Sequence, residues 1–342
     1  MNRMITFIRR HRIGLTATLV AVGAVATMAG RCLPSTADEI RRSAVVVEQQ
    51  SWQALYSHGR PVLFFAAIDT DSCVQMPSTQ AARATLTRRS GGCWMNRWPA
   101  VPSCNGRIVT VADTLPAIGW KADDVLLAMI HTLEQTLRHD QAADAELQYY
   151  LRVHGVQDEG YQQIAALATQ LRARMRRDSA TLHRADSLLK GATPLTLGRH
   201  TAYTAWYTTD APGAKGRGKA QKVACQCVAV HARHGLMLLQ TADHMTPDGV
   251  KTQYLLPWNT TNRRLVAAGH AALGVEGLAQ SHAQVVLTEG RRTEGHIAFP
   301  GLLATDGSAL YTPRGLFAGL LRGHDVVGRN EVSALLMKGG WR

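Results

Sequence analysis

The segment Gly106–Leu115 reads GRIVTVADTL: a glycine turn, four residues from Ile108 to Val111 with the composition of a buried strand, then Ala112 and one carboxylate, Asp113. A strand that ends by presenting a single polar side chain at a turn is a common way for a fold to deliver a reactive group. A second stretch, TDGSALYTPRGLFAGLL, carries Asp306 and Ser308 around a glycine just before two short apolar runs. A carboxylate can serve as acid, base or cation ligand. A serine hydroxyl is a nucleophile only beside a base that a third group holds in place. The fourteen histidines are scattered and none forms H-E-x-x-H. The six cysteines, Cys32, Cys73, Cys93, Cys104, Cys225 and Cys227, include no C-x-x-C pair, which argues against a zinc ribbon or a thioredoxin-type motif. No cofactor and no metal is expected.

Elements must exist to position these residues. From Pro61 the chain shows short β runs separated by turn residues: PVLFFAAI, RATLT, GCWMNRW and RIVTV. After Thr196 such runs return as TAYTAWYTT, KVACQCVAV, GLMLLQ, TQYLLPW, AQVVLTEG, GHIAFPG, SALYT and GLFAGLLRG. Residues 121–190 differ. Leu126, Met129, Ile130, Leu133 and Leu137 fall on one helical stripe, a helical stretch runs on to Gly155, and a further helix starting near Asp158 shows Ile164, Leu167, Leu171 and Met175 at helical spacing. About three helices are expected there, inserted into a β protein. Residues 34–60 read as a linker helix, and residues 61–342 as the main domain interrupted by 121–190. Cys225 and Cys227 lie two apart on a strand and face one side; the cysteines either pair in part in an oxidising compartment or pack as small buried hydrophobes. Trp94, Trp98, Trp120 and Trp206 suit packing or a peptide groove.

With 342 residues, 46% hydrophobic and 18% charged, the chain can bury a large core and is not of disordered composition. Its net charge of +13 is spread along the sequence. Residues 191–342 carry sixteen basic and nine acidic residues, and residues 121–190 nine and ten. Such an excess favours anionic surfaces without choosing among them, although nucleic acid is not the preferred partner. PGAKGRGKAQK, residues 212–222, reads as a hairpin tip that either contacts an anion or is simply solvated. At the start, MNRMITFIRRHR is basic and Ile13 to Gly30 is apolar and uncharged. That run matches a membrane-spanning helix with a cytoplasmic N-terminus, leaving the rest outside the cytoplasm, periplasmic if the source is bacterial. A cleaved signal peptide is the alternative, with small residues near Ala29 at suitable spacing.

Taken together and in order, the motifs resemble the trypsin-like serine peptidases of the chymotrypsin fold. That family carries G-x-I-[LV]-T-x-A-H, ending in the general base, and later G-D-S-G-[GS]-P-[LV]-[FY], with the serine nucleophile, followed by G-x-x-x-G-[IV]. Gly106 to Ala112 is similar to the first, with Asp113 where the His belongs. Gly307 to Tyr311 resembles the residues after the nucleophile, Gly315 and Gly319 match the closing glycines, and Asp306 falls on the serine. GLMLLQ resembles the strand D-[IL]-A-L-[LI], with Gly235 in place of the orienting Asp, and Ala304 replaces the first glycine of the serine motif. The resemblance implies a mainly β, trypsin-like double β-barrel with a helical insertion, and a triad substituted as Asp113, Gly235 and Asp306.

A triad so substituted cannot run the serine mechanism. An Asp at the nucleophile's place also sets negative charge where negative charge must develop. The resemblance therefore implies an inactive peptidase domain that binds an extended peptide or an envelope protein. Three chemical alternatives stand beside it. Ser308 could act as nucleophile with His296 or His324 as base. Asp113 and Asp306 could share a proton as an acid hydrolase would. The two carboxylates could hold a cation with His244 or Asp243. An anion-binding surface protein is a further reading.

Overall fold

The structure, a computed structural model, describes residues 34–69, 71–96, 106–112, 119–191, 194–209, 219–255, 263–270, 285–293, 296–299 and 304–340. Asp113, Cys32, Cys104, Trp98, the run Ile13 to Gly30 and the loop 212–218 lie outside the described residues. No helix among the described residues is long and apolar enough to cross a membrane.

Helix α1 (Ala37–Ser43) opens the described chain, its N-terminus closed by a reciprocal capping box between Thr36 and Glu39. It stops after seven residues, and strand β1 (Ala44–Ser57) follows at once. The linker helix expected over 34–60 is thus corrected to one short helix and a long strand. Three consecutive valines, Val45 to Val47, are the physical reason: β-branched side chains lose freedom in a helix, and here all three are buried, as only a strand covered on both faces permits. Next come β2 (Arg60–Phe65), β3 (Ala67–Ile68), β4 (Val74–Gln75), β5 (Leu86–Asn96) and β6 (Arg107–Val111). Helices α2 (Ala122–Val153) and α3 (Tyr161–Lys190) intervene. The remainder is β7 (Leu195–Thr209), β8 (Lys219–His231), β9 (Leu236–Thr241), β10 (Gln253–Tyr254), β11 (Arg264–His270), β12 (Val285–Thr293), β13 (His296–Ala298), β14 (Ala309–Tyr311), β15 (Phe317–Arg322), β16 (Asp325–Gly328) and helix α4 (Arg329–Lys338).

The chain divides into two compact units. The first takes the described residues of 1–48, 89–115 and 203–342; the second takes those of 49–88 and 116–202. This differs from the single domain expected over 61–342, because residues 49–88 fall with the helices.

The eight-stranded sheet runs β10-β5-β6-β9-β8-β7-β1-β2, and β5 also pairs with β1, so six of its strands close into a ring. Numbered by chain order, that ring reads first, second, third, sixth, fifth, fourth. The six-stranded sheet runs β13-β12-β11-β14-β15-β16, and the Ile297 N–H donates to the His324 carbonyl at 2.9 Å, bringing β13 back to the β15–β16 hairpin. Its order is again first, second, third, sixth, fifth, fourth. The protein is therefore mainly β, with two barrel-like sheets of one repeated topology and a helical pair.

Three cores explain which strands of unit one are apolar throughout. Val45, Val47, Trp94, Ile108, Met237 and Leu239 fill the first ring. Leu265, Ala267, Ile297, Leu310 and Leu321 fill the second. A third cluster joins Cys93, Met95, Val109, Leu236 and Leu238 to Tyr311, Phe317, Leu320 and the α4 residues Val332, Leu335 and Leu336. Alternate residues of β9 thus serve different cores, which is why GLMLLQ shows no polar alternation. Within the third cluster Ser43 and Tyr311 share a hydrogen bond of 2.7 Å, with the Cys93 sulfur 3.5 Å from the same phenol. Burial pushes the Cys93 thiol up to about 11, so it stays a neutral packing group. Cys73, Cys93, Cys225 and Cys227 are free thiols, Cys225 buried and Cys227 exposed.

In unit two, Leu126, Met129 and Leu133 of α2 pack with Leu55, Leu63, Phe65, Val74, Ala185 and Leu188. The three expected helices are two, because no breaker interrupts residues 122–153. Asp158 does not cap the second: its carboxylate accepts the Gly155 N–H at 2.8 Å in the connecting turn, and Gly160, at φ 87°, starts the helix. The α3 stripe is also shifted. Ala168, Leu171, Thr181, Ala185 and Leu188 are buried, whereas Leu167 is half exposed. Small residues at the seam let the two helices approach closely. A buried carboxylate, Asp140, is held there by the Arg174 guanidinium, whose Nε donates at 2.8 Å.

Candidate functional site

Strand β6 ends at Val111, two residues before Asp113, and its backbone path is fixed by two neighbours. The Thr110 hydroxyl donates to the Gly91 carbonyl at 2.6 Å, and the Ala112 N–H donates to the Gly235 carbonyl at 2.7 Å. Gly91 in turn donates its N–H to the Asp306 carbonyl at 2.7 Å. These few backbone contacts gather the end of β6, Gly235 and the 305–308 turn in one place within unit one. The positions of Gly235 and Asp306 that the sequence pattern singled out are brought together with the strand leading to Asp113.

Glycine is required where β5 meets the turn. A Cβ on Gly91 would lie 2.8 Å from the Ser308 nitrogen. A Cβ on Gly307, whose φ is +84°, would overlap the Gly91 carbonyl oxygen. The turn then joins β15 through Gly307 N–H to the Leu321 carbonyl at 2.8 Å and Leu321 N–H to the Ser308 carbonyl at 2.9 Å.

The side chains at these positions do other work. The Asp306 carboxylate accepts the Gly323 N–H at 2.6 Å and so closes the β15–β16 hairpin. Ser308 is 1% exposed, and its hydroxyl oxygen accepts the Thr305 N–H at 3.1 Å. His296, the first base considered for it, instead places Nδ1 3.1 Å from the exposed Asp325 carboxylate, and His324 contributes its backbone carbonyl to β13. A nucleophile must be reachable by substrate and touched by its base, and among the described residues Ser308 is neither. Asp243 holds the Met245 N–H at 3.1 Å, and that backbone hydrogen bond, with help from Thr241, keeps its carboxyl below the usual carboxylate range. Among the described residues no group of three His, Cys, Asp or Glu side chains converges as a metal site.

Gly235 holds the feature that the sequence reading missed. It sits in the left-handed region (φ 58°, ψ 40°), and a Cβ there would lie 2.5 Å from Cζ and 2.6 Å from Nη1 of Arg322. The Arg322 guanidinium therefore lies directly on the Gly235 backbone, where the resemblance would have an orienting carboxylate. Arg233 and His234 immediately precede Gly235, and the His231 and His234 rings are 4.9 Å apart. The side chains nearest Gly235 in space and in sequence are thus basic. The signal in the sequence was an arginine closing GLFAGLLRG, but nothing there ties it to a glycine 87 positions earlier.

No protein-family model matches the chain, and no curated protein matches it. Among solved structures the chain is similar to the one described as the crystal structure of Deg5, with 10% identity over 83% of this chain and 85% of that one, and a TM-score of 0.32. The description of the fold rests instead on the strand order of the two sheets.

Proposed function

We propose that the protein is a trypsin-like double β-barrel that has lost peptidase chemistry and acts as a non-catalytic binding module, tethered outside the cytoplasm through the apolar run Ile13 to Gly30. The observation that carries this reading is the Arg322 guanidinium lying on Gly235. A base poised to take a proton from a nucleophile is held by an anion beside it; a cation there opposes the imidazolium that must form. The Asp306 carboxylate engaged with the Gly323 N–H agrees with this, because it serves the hairpin. The buried Ser308 hydroxyl supports it as well.

The test is hydrolysis of casein and of a fluorogenic peptide mixture from pH 3 to pH 9, together with labelling by a fluorophosphonate serine probe. The expected result is no turnover and no label. Turnover abolished by Ser308→Ala would restore a serine peptidase, and turnover confined to acid pH and abolished by Asp306→Asn would restore an acid hydrolase. Either outcome overturns the reading.

A further inference from the structure

We infer that the end of the β11–β12 ladder docks on an anionic phospholipid surface through four arginines, Arg263, Arg264, Arg291 and Arg292. The inference goes beyond the non-catalytic reading and does not need it. The choice of a bilayer as the anionic surface rests on the tether proposed above.

The sequence holds these arginines as two neighbouring pairs, and strand register brings the pairs together. Arg264 of β11 stands directly opposite Arg291 of β12. One step further along, the Arg292 N–H donates to the Arg263 carbonyl at 2.8 Å, so the ladder continues into a second pair of arginines. All four are exposed. Directly opposed residues hold their Cβ atoms about 5 Å apart, and like charges so placed destabilise a sheet. Strands β11, β12 and β13 carry one carboxylate, Glu289, which lies two positions along from Arg291 and opposite Val266. Four cations against one anion at a ladder end is a cost that an anionic partner offsets.

The placement also selects the shape of the partner. Successive cross-strand pairs alternate between the two faces of a sheet. Leu265 and Ala267 face the interior of the second ring, so Arg264 and Arg291 lie on the other face. Arg292, opposite Ile297 of that interior, lies on the ring side. A single small anion cannot sit on both faces of a ladder. A flat charged surface set against the strand ends meets both pairs at once. A nucleic-acid strand calls for cations in a row along its phosphates, and here they form a compact block. The guanidinium group suits phosphate oxygens, which it grips at two points. Each cation held near an anionic leaflet adds to the attraction.

The experiment is arginine footprinting with phenylglyoxal, read by mass spectrometry. It uses the full chain reconstituted into vesicles of phosphatidylcholine alone, or of phosphatidylcholine mixed with phosphatidylglycerol. Both vesicles hold the same tether, so the comparison reads headgroup charge and not anchoring. In the anionic vesicles, labelling of Arg263, Arg264, Arg291 and Arg292 is expected to slow about fivefold or more, and that of the exposed Arg314 less than about twofold. Molar salt is expected to remove the difference. In the double variant Arg291→Gln, Arg292→Gln, labelling of Arg263 and Arg264 in anionic vesicles is expected to return to within about twofold of the phosphatidylcholine rate. Arg107, 2% exposed, labels when the chain unfolds and so separates lost docking from lost fold. Equal labelling in the two vesicles, or equal slowing at Arg314, would overturn the docking surface. Inorganic phosphate or single-stranded DNA that protects the four arginines in phosphatidylcholine vesicles as strongly as the anionic lipid does would overturn the bilayer as ligand. A chain that stays outside the vesicle membrane would sink the tether, and the same footprint is then read on chain mixed with preformed vesicles. Peptide turnover would overturn the non-catalytic reading and leave this footprint unchanged.

Discussion

At the scale of single residues, glycine and histidine report most about this molecule. Gly307 and Gly323 both adopt positive φ, but only at Gly307 would a side chain meet backbone. Gly323→Ala is therefore expected to cost about 1 kcal/mol from conformation alone. Gly307→Ala should cost more than about 3 kcal/mol, because two backbones must separate; urea unfolding of the two variants side by side checks the difference. His270 is 4% exposed, and burial lowers its pKa from 6.5 to about 4. Between those values the unfolded chain takes up a proton that the folded chain refuses. The stability His270 confers is thus intact above pH 6.5 and lost as pH falls toward 4, by up to about 3 kcal/mol. Urea midpoints at pH 7 and pH 4.5 should show this, and His270→Leu should flatten the difference. At this scale the sequence pointed to Gly235 and Asp306 through short motifs, which are legible because they are local in sequence. The position of Arg322 beside Gly235 was not legible, since it is made through space by two strands from different sheets.

At the scale of elements, the helical pair is the clearest case of a structure set by a few side chains. Asp140 is buried and Arg174 is its partner, with half of the arginine facing water. The hydrogen bond that Arg174 donates to Asp140 accordingly raises the Arg174 pKa, while desolvation raises that of nearby Asp178. Arg174→Met should cost on the order of 2 kcal/mol by stranding a buried carboxylate, less than for a wholly buried pair. Asp140→Leu combined with Arg174→Met should recover most of it, as measured by thermal unfolding followed at 222 nm. The sequence pattern showed that helices fill 121–190, and Leu126, Met129 and Leu133 were placed on the correct face. It divided them into three, because polar residues between two apolar stripes look like a break until a partner helix covers them. It also made 34–60 helical. There the valine run favoured a strand, but its burial on both faces depends on strands far away in the chain.

At the scale of the whole molecule, the architecture was readable in outline because all-β patterning on either side of one helical block survives without knowledge of contacts. The repeated strand order was not readable, since ring closure depends on pairings such as β1 with β5 that no local pattern specifies. The alternation of β9 between Leu236 and Leu238 on one side and Met237 and Leu239 on the other has a thermodynamic corollary. A strand that completes two interiors couples their melting. The two rings should therefore lose structure in a single cooperative transition, with calorimetric and van't Hoff enthalpies of unit one in agreement. Leu238→Ala should lower the stability of both rings together by about 3 kcal/mol. Hydrogen exchange at Ile108 in the first ring and Leu310 in the second would then rise in parallel. A fragment beginning after β9 would lack one wall of the shared interior and would not hold its fold alone. The duplicated topology is thus a repetition of pattern without independence of parts, and the protein cannot be shortened to a single barrel.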